Sequence, residues 1–140
     1  MKVTIFTDGG ARGNPGPAGF GAAVYDHNGK LVLEIKGYLG NLTNNQAEYE
    51  AVIVALQKAK ELGADKVTLK LDSELIVRQL TGRYKIKSGS IADRAAKALA
   101  LTRQFVQLNF VHVPRSQNAL ADQLVNQAID EGLQRQKPSI

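Results

Sequence analysis

The spacing of apolar residues predicts strands in the first part of the chain. In residues 2–7, the apolar Val3 and Ile5 and the β-favouring Thr4 and Phe6 indicate a strand. Residues 19–27 and 30–40 alternate more loosely on either side of His27-Asn28-Gly29, and Asn-Gly is a strong hairpin signal. Between the first and second predicted strands, the segment GGARGNPGPAG is dense in turn residues and predicts a loop. The chain is therefore expected to begin with three antiparallel strands.

From Asn45 onward the apolar residues recur at helical spacing, and helices and strands then alternate. The predicted elements are a helix over 45–62 with Gly63 as its C-cap, a strand over 66–71, a short helix from Ser73 to a break at Gly82, a helix over 90–105, a strand over 108–113 and a helix over 117–132 closed by Gly132. This order predicts an α/β fold in which a mixed five-stranded sheet, three antiparallel strands followed by parallel ones, carries helices on both faces.

Length and composition fit one small globular domain. With 140 residues and 44% hydrophobic content, we expect a single domain over residues 1–132 and a flexible tail over 133–140. The chain has no cysteine, so a metal would be held by oxygen or histidine ligands, which favours hard cations. No apolar stretch approaches the ~20 residues of a membrane span. We expect a cytoplasmic monomer without membrane contact.

The positive charge is concentrated in one segment. The formal net charge is +5, and residues 83–103 hold six basic side chains against one acid, Asp93. Such a cluster is typical either of a solvated helix face or of a surface that meets a polyanion, and charge alone does not separate these interpretations.

Four carboxylates stand at positions where a charge is unusual: Asp8, Glu48, Asp72 and Asp122. Asp8 and Asp72 follow predicted strands, at the edge where open α/β sheets bind ligands. Asp8 could instead be a turn residue, because Asp-Gly is common turn chemistry. Asp72 could be the N-cap of the helix that starts at Ser73. Each alternative is reasonable for its residue alone.

The other two carboxylates lie on predicted helices. Glu48 shares a stripe with Val52 and Ala55, although it could close a capping box with Asn45. Asp122 lies on an apolar face within the last helix, where capping does not explain it. The remaining alternative for Asp122 is a buried ion pair with Arg115 or Arg94.

Taken together, the four acids predict a metal site if the strands before Asp8 and Asp72 are neighbours. Four carboxylates that converge on one point would repel one another unless cations neutralise them. Two divalent ions about 3.5–4 Å apart activate water and stabilise the leaving oxygen in phosphoryl displacement. Mg²⁺ needs only a few carboxylates because it keeps several waters.

Short polar side chains border the same edge. Asn14 and the triplet Thr43, Asn44 and Asn45 could donate to phosphate or sugar oxygens, although turn and cap chemistry explains each one separately. The two histidines, His27 and His112, have no partner at a spacing typical of a zinc site or a catalytic dyad.

Four segments of the chain resemble the type 1 ribonuclease H family, the ribonuclease HI group. They are FTDGGARGNPGPAGFGA around Asp8, TNNQAEYEAVIVAL around Glu48, LDSELIVRQL around Asp72 and NALADQLVNQA around Asp122. The resemblance implies an RNase H-like fold and an endonuclease that cuts the RNA strand of RNA–DNA hybrids with Mg²⁺ or Mn²⁺, two ions per site, leaving 5′-phosphate and 3′-hydroxyl ends. It implies that the four acids bind metal.

The same resemblance implies which residues contact the hybrid: Asn14, Thr43, Asn44, Asn45 and Gln79. Whether double-stranded RNA is also a substrate stays open. The alternatives to a ribonuclease H are a module that binds hybrids or double-stranded RNA without cutting, and another nuclease of the same fold, such as a resolvase or retroelement domain.

The chain departs from the family pattern in three places. The loop before the last acid is shortened to VPRSQNA and lacks the usual histidine, so Arg115 is expected to contact phosphate there. The basic protrusion of longer relatives is reduced to GRYKIKSGS, with Tyr84 as its aromatic residue. Gln46 and Glu74 occupy positions where relatives often carry Arg and Gln, so the phosphate contacts are expected to differ in detail.

Overall fold

A computed structural model describes residues 1–87 and 89–136. Its elements are β1 (Lys2–Ala11), β2 (Gly16–Tyr25), β3 (Leu31–Leu42), α1 (Asn44–Glu61), β4 (Lys66–Leu71), α2 (Glu74–Leu80), α3 (Gly89–Thr102), β5 (Gln107–His112), a 3₁₀ turn (Arg115–Gln117) and α4 (Ala119–Arg135). One five-stranded sheet has the order β3-β2-β1-β4-β5. The first three strands are antiparallel, and β1–β4 and β4–β5 are parallel. The predicted α/β fold is confirmed.

Helices cover the two faces of the sheet unequally. On one face, α1 lies against β1 and α3 packs on α1. The core between them includes Val52 and Leu56 of α1 with Ile5 and Leu69 of the sheet, all fully or almost fully buried. On the other face, α4 crosses β2 and β3 and reaches β1. No helix among the described residues is long and apolar enough to cross a membrane.

The predicted glycine-rich loop is mostly strand. β1 continues to Ala11 and β2 begins at Gly16, so the connection is only residues 12–15. The glycines in these strands allow helices to approach closely. A Cβ on Gly21 would lie 2.5 Å from the carbonyl oxygen of Ala121 in α4, and one on Gly9 would lie 2.2 Å from that of Ala47 in α1. The prediction of a loop was wrong for residues 9–11 and 16–19, which belong to the strands, and was right for residues 12–15. At Gly9, close helix packing rather than turn formation requires the glycine.

Two predicted helix ends have different outcomes. Gly63 follows the C-cap of α1 with φ +82°, and the amide of Ala64 donates to the carbonyl of Ala59 at 3.0 Å, as in a Schellman motif. The predicted end of α1 at Gly63 is confirmed, although the C-cap itself is Leu62, one residue earlier. Gly132, in contrast, does not end α4, which continues to Arg135. A Cβ at Gly132 would lie 2.1 Å from the ring of Tyr38, so this glycine makes room for an aromatic side chain of β3.

The other boundaries shift by a few residues. The helix predicted over 90–105 ends at Thr102, and the last helix begins at Ala119 rather than at 117 because a 3₁₀ turn precedes it. The tail predicted from 133 starts within α4, and residues 137–140 lie outside the described residues, as does Ser88 of the reduced basic protrusion.

Candidate active site

The parallel pairing of β1 with β4 determines where Asp8 and Asp72 lie. Its register runs from Lys2 beside Lys66 to Phe6 beside Lys70, so two residues further on Asp8 is beside Asp72. Asp72 directly follows β4, as predicted. Asp8 does not close its strand, because β1 continues along β2 and pairs Asp8 with Gly21. Asp8 is therefore at the end of the parallel pairing, and its interpretation as a turn residue is wrong.

The cap interpretations of Asp72 and Glu48 are also wrong. Ser73 is the N-cap of α2, and its hydroxyl accepts from the amide of Ile76 at 3.3 Å. Thr43 is the N-cap of α1 and forms a capping box with Gln46. The amide of Gln46 donates to Thr43 Oγ1 at 3.2 Å, and the amide of Thr43 donates to Gln46 Oε1 at 2.9 Å. Asp72 and Glu48 have no capping role.

Three of the four acids form a compact cluster. Asp8, Glu48 and Asp72 each offer a carboxylate oxygen, and the three oxygens lie within 4.8 Å of one another. Each of these residues is partly buried. They line a cavity of about 530 Å³ together with Asp122 and Arg115. The sequence prediction that the four acids converge on one edge of the sheet agrees with this geometry.

Asp122 occupies a more open position than predicted. Because α4 begins at Ala119, Asp122 lies in its first turn, and 37% of its side chain is exposed. Its carboxyl group is close enough to Asp8 to contribute to the raised pKa of that residue. Arg115 is 3.8 Å from its carboxylate, measured from a guanidinium nitrogen to Oδ1, and is 82% exposed. Arg94, the other predicted partner, pairs instead with Glu50 at 2.9 Å. The alternative of a buried ion pair for Asp122 is wrong, because the pair with Arg115 is long and exposed and Arg94 pairs elsewhere.

Burial and repulsion from neighbouring carboxylates raise the pKa of two of the acids, Asp8 and Glu48. Burial raises the pKa of Asp8 to about 8, and the charges of Asp72 and Asp122 contribute, while the amide of Gly9 lowers it. Burial also raises the pKa of Glu48 to about 8, with further repulsion from Asp8 and Asp72, against a hydrogen bond from Ser73. A bound cation would relieve both effects, because it would stabilise the ionised carboxylates.

These pKa values predict how metal-free stability depends on pH. Between pH 4, near the ordinary pKa of both groups, and pH 8, the folded protein holds more protons than the unfolded chain. The free energy of unfolding should therefore fall as pH rises through this window, by roughly 2–4 kcal/mol. Urea denaturation in EDTA at several pH values measures this loss. Asp8→Asn should flatten the profile, and a wild-type profile that rises toward pH 8 would contradict the prediction.

The candidate substrate contacts cluster only in part. The Asn44 amide donates to Asn14 Oδ1 at 3.0 Å, and the Ala11 amide donates to Asn44 Oδ1 at 2.8 Å. Since each side-chain oxygen already accepts a hydrogen bond, the NH₂ groups of Asn14 and Asn44 are left as donors. Asn45 is exposed in the first turn of α1. Gln79, by contrast, lies in α2 outside the cavity lining, and its Oε1 accepts from the Tyr49 hydroxyl at 2.7 Å.

Sequence reasoning missed Asn118. This residue is 1% exposed, and its Nδ2 donates to the carbonyl oxygen of Thr7 at 2.8 Å. Its own carbonyl accepts from the amide of Asp122 at 3.1 Å. Asn118 thus ties the start of α4 to the strand residue that precedes Asp8. An asparagine before a helix is usually read as a cap, so the sequence had no signal for this bond.

Comparisons with known proteins agree with the fold. The family model described as "Reverse transcriptase-like" matches residues 6–128. The bifunctional protein Rv2228c of Mycobacterium tuberculosis is 45% identical over 135 residues, which cover 96% of this chain but 37% of that protein. The chain therefore spans only about a third of this relative.

Two crystal structures match over nearly their whole length. RNase H1 from the archaeon Halobacterium salinarum has a TM-score of 0.92 at 39% identity, covering 94% of this chain and 99% of that one. LC11-RNase H1, solved in complex with an RNA/DNA hybrid, has a TM-score of 0.89 at 47% identity, with the same coverage. With this identity and coverage, and with the acids converging where the parallel pairing of β1 and β4 ends, the chain belongs to the ribonuclease H family.

Proposed function

We propose that this protein is an endoribonuclease that hydrolyses the RNA strand of RNA–DNA hybrids and leaves 5′-phosphate and 3′-hydroxyl ends. The observation that carries the proposal is the cluster of Asp8, Glu48 and Asp72 with Asp122 beside it in one open cavity. Membership of the ribonuclease H family supports it, as does the hybrid bound by LC11-RNase H1.

The donor set fits hard divalent cations. Every candidate ligand is a carboxylate oxygen, and the raised pKa values of Asp8 and Glu48 mark a site that favours positive charge. Asp8, Glu48, Asp72 and Asp122 would hold Mg²⁺ or Mn²⁺, two ions per site. Such a pair supplies an activated water and charge stabilisation for the leaving oxygen.

Neighbouring groups position the substrate and the ligands. The NH₂ groups of Asn14 and Asn44 and the exposed Asn45 can donate to phosphate or to 2′-hydroxyls, which are the groups that distinguish RNA from DNA. Thr43 fixes the start of α1 and hence the direction of the neighbouring amides. The Ser73 hydroxyl favours the ionised form of Glu48, since it lowers the pKa of that carboxyl. The chain's own residues therefore recognise the RNA strand and hold the acids in place. Gln79 stays a predicted contact.

Arg115 is expected to contact the phosphate beside the acids. It lines the cavity, and its exposed guanidinium pairs only loosely with Asp122, so it is free to bind an anion. Arg115→Ala should lower kcat/KM for hybrid cleavage about 10-fold, in line with the loss of one charge-assisted hydrogen bond. Steady-state cleavage rates measure the effect. Arg135→Ala, at the far end of α4, is the control, and wild-type turnover by Arg115→Ala would remove the proposed role.

The proposed function is tested with a uniformly labelled RNA–DNA hybrid, with and without Mg²⁺ or Mn²⁺. We expect cleavage of the RNA strand only when metal is present. Binding in a gel shift without cleavage would select a non-catalytic hybrid-binding module. Cutting of a DNA junction in preference to the hybrid would select a resolvase-type nuclease. A parallel assay with double-stranded RNA decides whether this RNA is a second substrate.

A cytoplasmic location, a monomeric state and a domain limited to residues 1–132 stay predictions.

A further inference from the structure

One part of the sheet surface is left open beside the acids. Among the residues that the structure describes, α4 packs mainly on β2 and β3 and does not extend over the outer face of β4 and β5, where Asn109 and Val111 are exposed. On β1 the same face carries Thr4 and Phe6, which alternate with the buried Val3 and Ile5. We define the open sheet face by the strand residues Lys2, Thr4, Phe6, Lys66, Thr68 and Lys70, and by Tyr25 beside Phe6.

The open sheet face is continuous with the candidate active site. The register that places Asp8 beside Asp72 places Phe6 beside Lys70 two residues earlier, then Thr4 beside Thr68 and Lys2 beside Lys66. Side chains two apart on a strand share a face and are separated by about 7 Å. The open sheet face therefore begins about 7 Å from the carboxylates and extends away from them along both strands.

Aromatic and basic side chains are combined on this face. The rings of Phe6 and Tyr25 meet edge to face, with centroids 5.7 Å apart at 82°. The Lys70 ammonium lies 5.2 Å from the Phe6 ring centroid. Lys2, Phe6 and Tyr25 also line a cleft of about 340 Å³, a volume in the range of small-molecule pockets. The cleft offers flat rings and cations, which suit nucleobases and phosphates respectively.

The charge distribution favours an anionic partner. Lys2 on β1 lies beside Lys66 on β4, Lys70 stands further along β4, and Asp26 is the carboxylate that the described residues contribute to the cleft lining. The Asp26 carboxylate stabilises the turn after β2, because its Oδ1 accepts hydrogen bonds from the backbone amides of Asn28 and Lys30 at 2.9 Å each. A phosphate would thus lie toward Lys70, and a base toward the rings.

We propose that the open sheet face binds a single-stranded segment of nucleic acid, with one base stacked in the Phe6–Tyr25 cleft and its phosphate near Lys70. Stacking on aromatic side chains combined with a basic track is the usual chemistry of single-strand binding and tolerates any sequence. The inference rests on the proposed function, because the bound segment would be a single-stranded extension of the strand that crosses the acids. It adds a second contact region, separate from the metal site.

The test measures binding of a short fluorescein-labelled oligouridylate by fluorescence anisotropy, in EDTA so that no hydrolysis occurs. Phe6→Leu keeps apolar volume but removes the ring, and should weaken binding about 5- to 150-fold, because one base stack contributes ~1–3 kcal/mol. Lys70→Gln should reduce the slope of log affinity against log salt by about 0.7, since one phosphate contact on a single strand is lost. Two substitutions are the matched controls. Lys58→Gln removes a lysine on α1, and Phe110→Leu removes a ring that packs on the other face of the sheet, against the core beneath α1.

The outcomes separate this inference from the proposed function. Thermal melts first establish that each variant is folded. Absence of oligouridylate binding by wild type, unchanged binding by both variants, or equal weakening by the controls would overturn the inference. Hybrid cleavage in Mg²⁺ by the same wild-type preparation is read independently. Cleavage without oligouridylate binding would discard only the open sheet face as a binding site, and binding without cleavage would discard only the proposed nuclease.

Discussion

An Asp72→Asn variant should fold normally and lose metal-dependent cleavage of RNA–DNA hybrids by at least about a thousandfold, a loss of ~4 kcal/mol in transition-state stabilisation. Asparagine keeps the size of the side chain but removes the charge that a divalent cation needs. Ser73, not Asp72, caps α2, so the substitution removes no helix cap. It also removes one of the charges that raise the pKa of Asp8 and Glu48, and should not destabilise the metal-free protein.

The cleavage rate on a labelled hybrid at saturating Mg²⁺ measures the loss, and thermal melts in EDTA measure the fold. Asp93→Asn, an exposed acid on α3, is the matched control and should cleave at the wild-type rate. Retained cleavage by Asp72→Asn would overturn the proposed metal site. An unfolded variant would contradict the expected stability, and Asp8→Asn would then carry the test of the metal site.

A Gly9→Ala substitution should reduce both stability and activity. The added Cβ would lie 2.2 Å from the carbonyl oxygen of Ala47 and 2.5 Å from the amide nitrogen of Glu48. Both atoms belong to the α1 backbone, so the helix itself must move and side-chain rotation cannot relieve the contact. We expect a loss of roughly 2–4 kcal/mol in the free energy of unfolding, at or above the usual cost of overpacking.

The same displacement would move Glu48 away from Asp8 and Asp72. A misplacement of about 1 Å can cost on the order of 100-fold in rate, and we expect a loss of that size in kcat/KM. Gly10→Ala is the stability control, because its Cβ would meet only ordinary contacts at 3.8 Å and beyond. Urea denaturation compares the two variants. Equal stability of Gly9→Ala and Gly10→Ala would show that α1 accommodates the methyl group.

The strand and helix order was predictable because apolar periodicity follows directly from which face of each element is buried. β4 has the predicted limits, residues 66–71, since Val67, Leu69 and Leu71 alternate cleanly into the core. The extents of β1 and β2 were not predictable in this way. Glycine is common in turns, and it is also required where a helix backbone lies against a strand. For Gly9, only the position of Ala47 in the structure shows that the second reason applies.

The acids were predictable as a set, but not their individual surroundings. Local patterns suggested that Asp72 is an N-cap and that Glu48 closes a capping box with Asn45. In the structure Ser73 is the N-cap of α2, and Thr43 forms the capping box of α1 with Gln46. Neighbouring residues that can cap the same helix differ little in the stability they give it, so the sequence alone cannot decide which of them is the N-cap. The exposure of Asp122 depends on the 3₁₀ turn that delays the start of α4, and the role of Asn118 depends on a hydrogen bond to Thr7, 111 residues away.

The pairing of β1 with β4 also has a consequence for folding kinetics. Asp8 and Asp72 are brought together by a parallel strand pair whose partners are 64 residues apart, with α1 between them. Contacts of such long sequence separation form slowly, because a large loop must close first. During refolding, helical circular dichroism should therefore recover before divalent-cation affinity, which requires the two strands to have paired in register. The recovery of metal binding during refolding therefore shows when β1 and β4 have paired, without a measurement of catalysis.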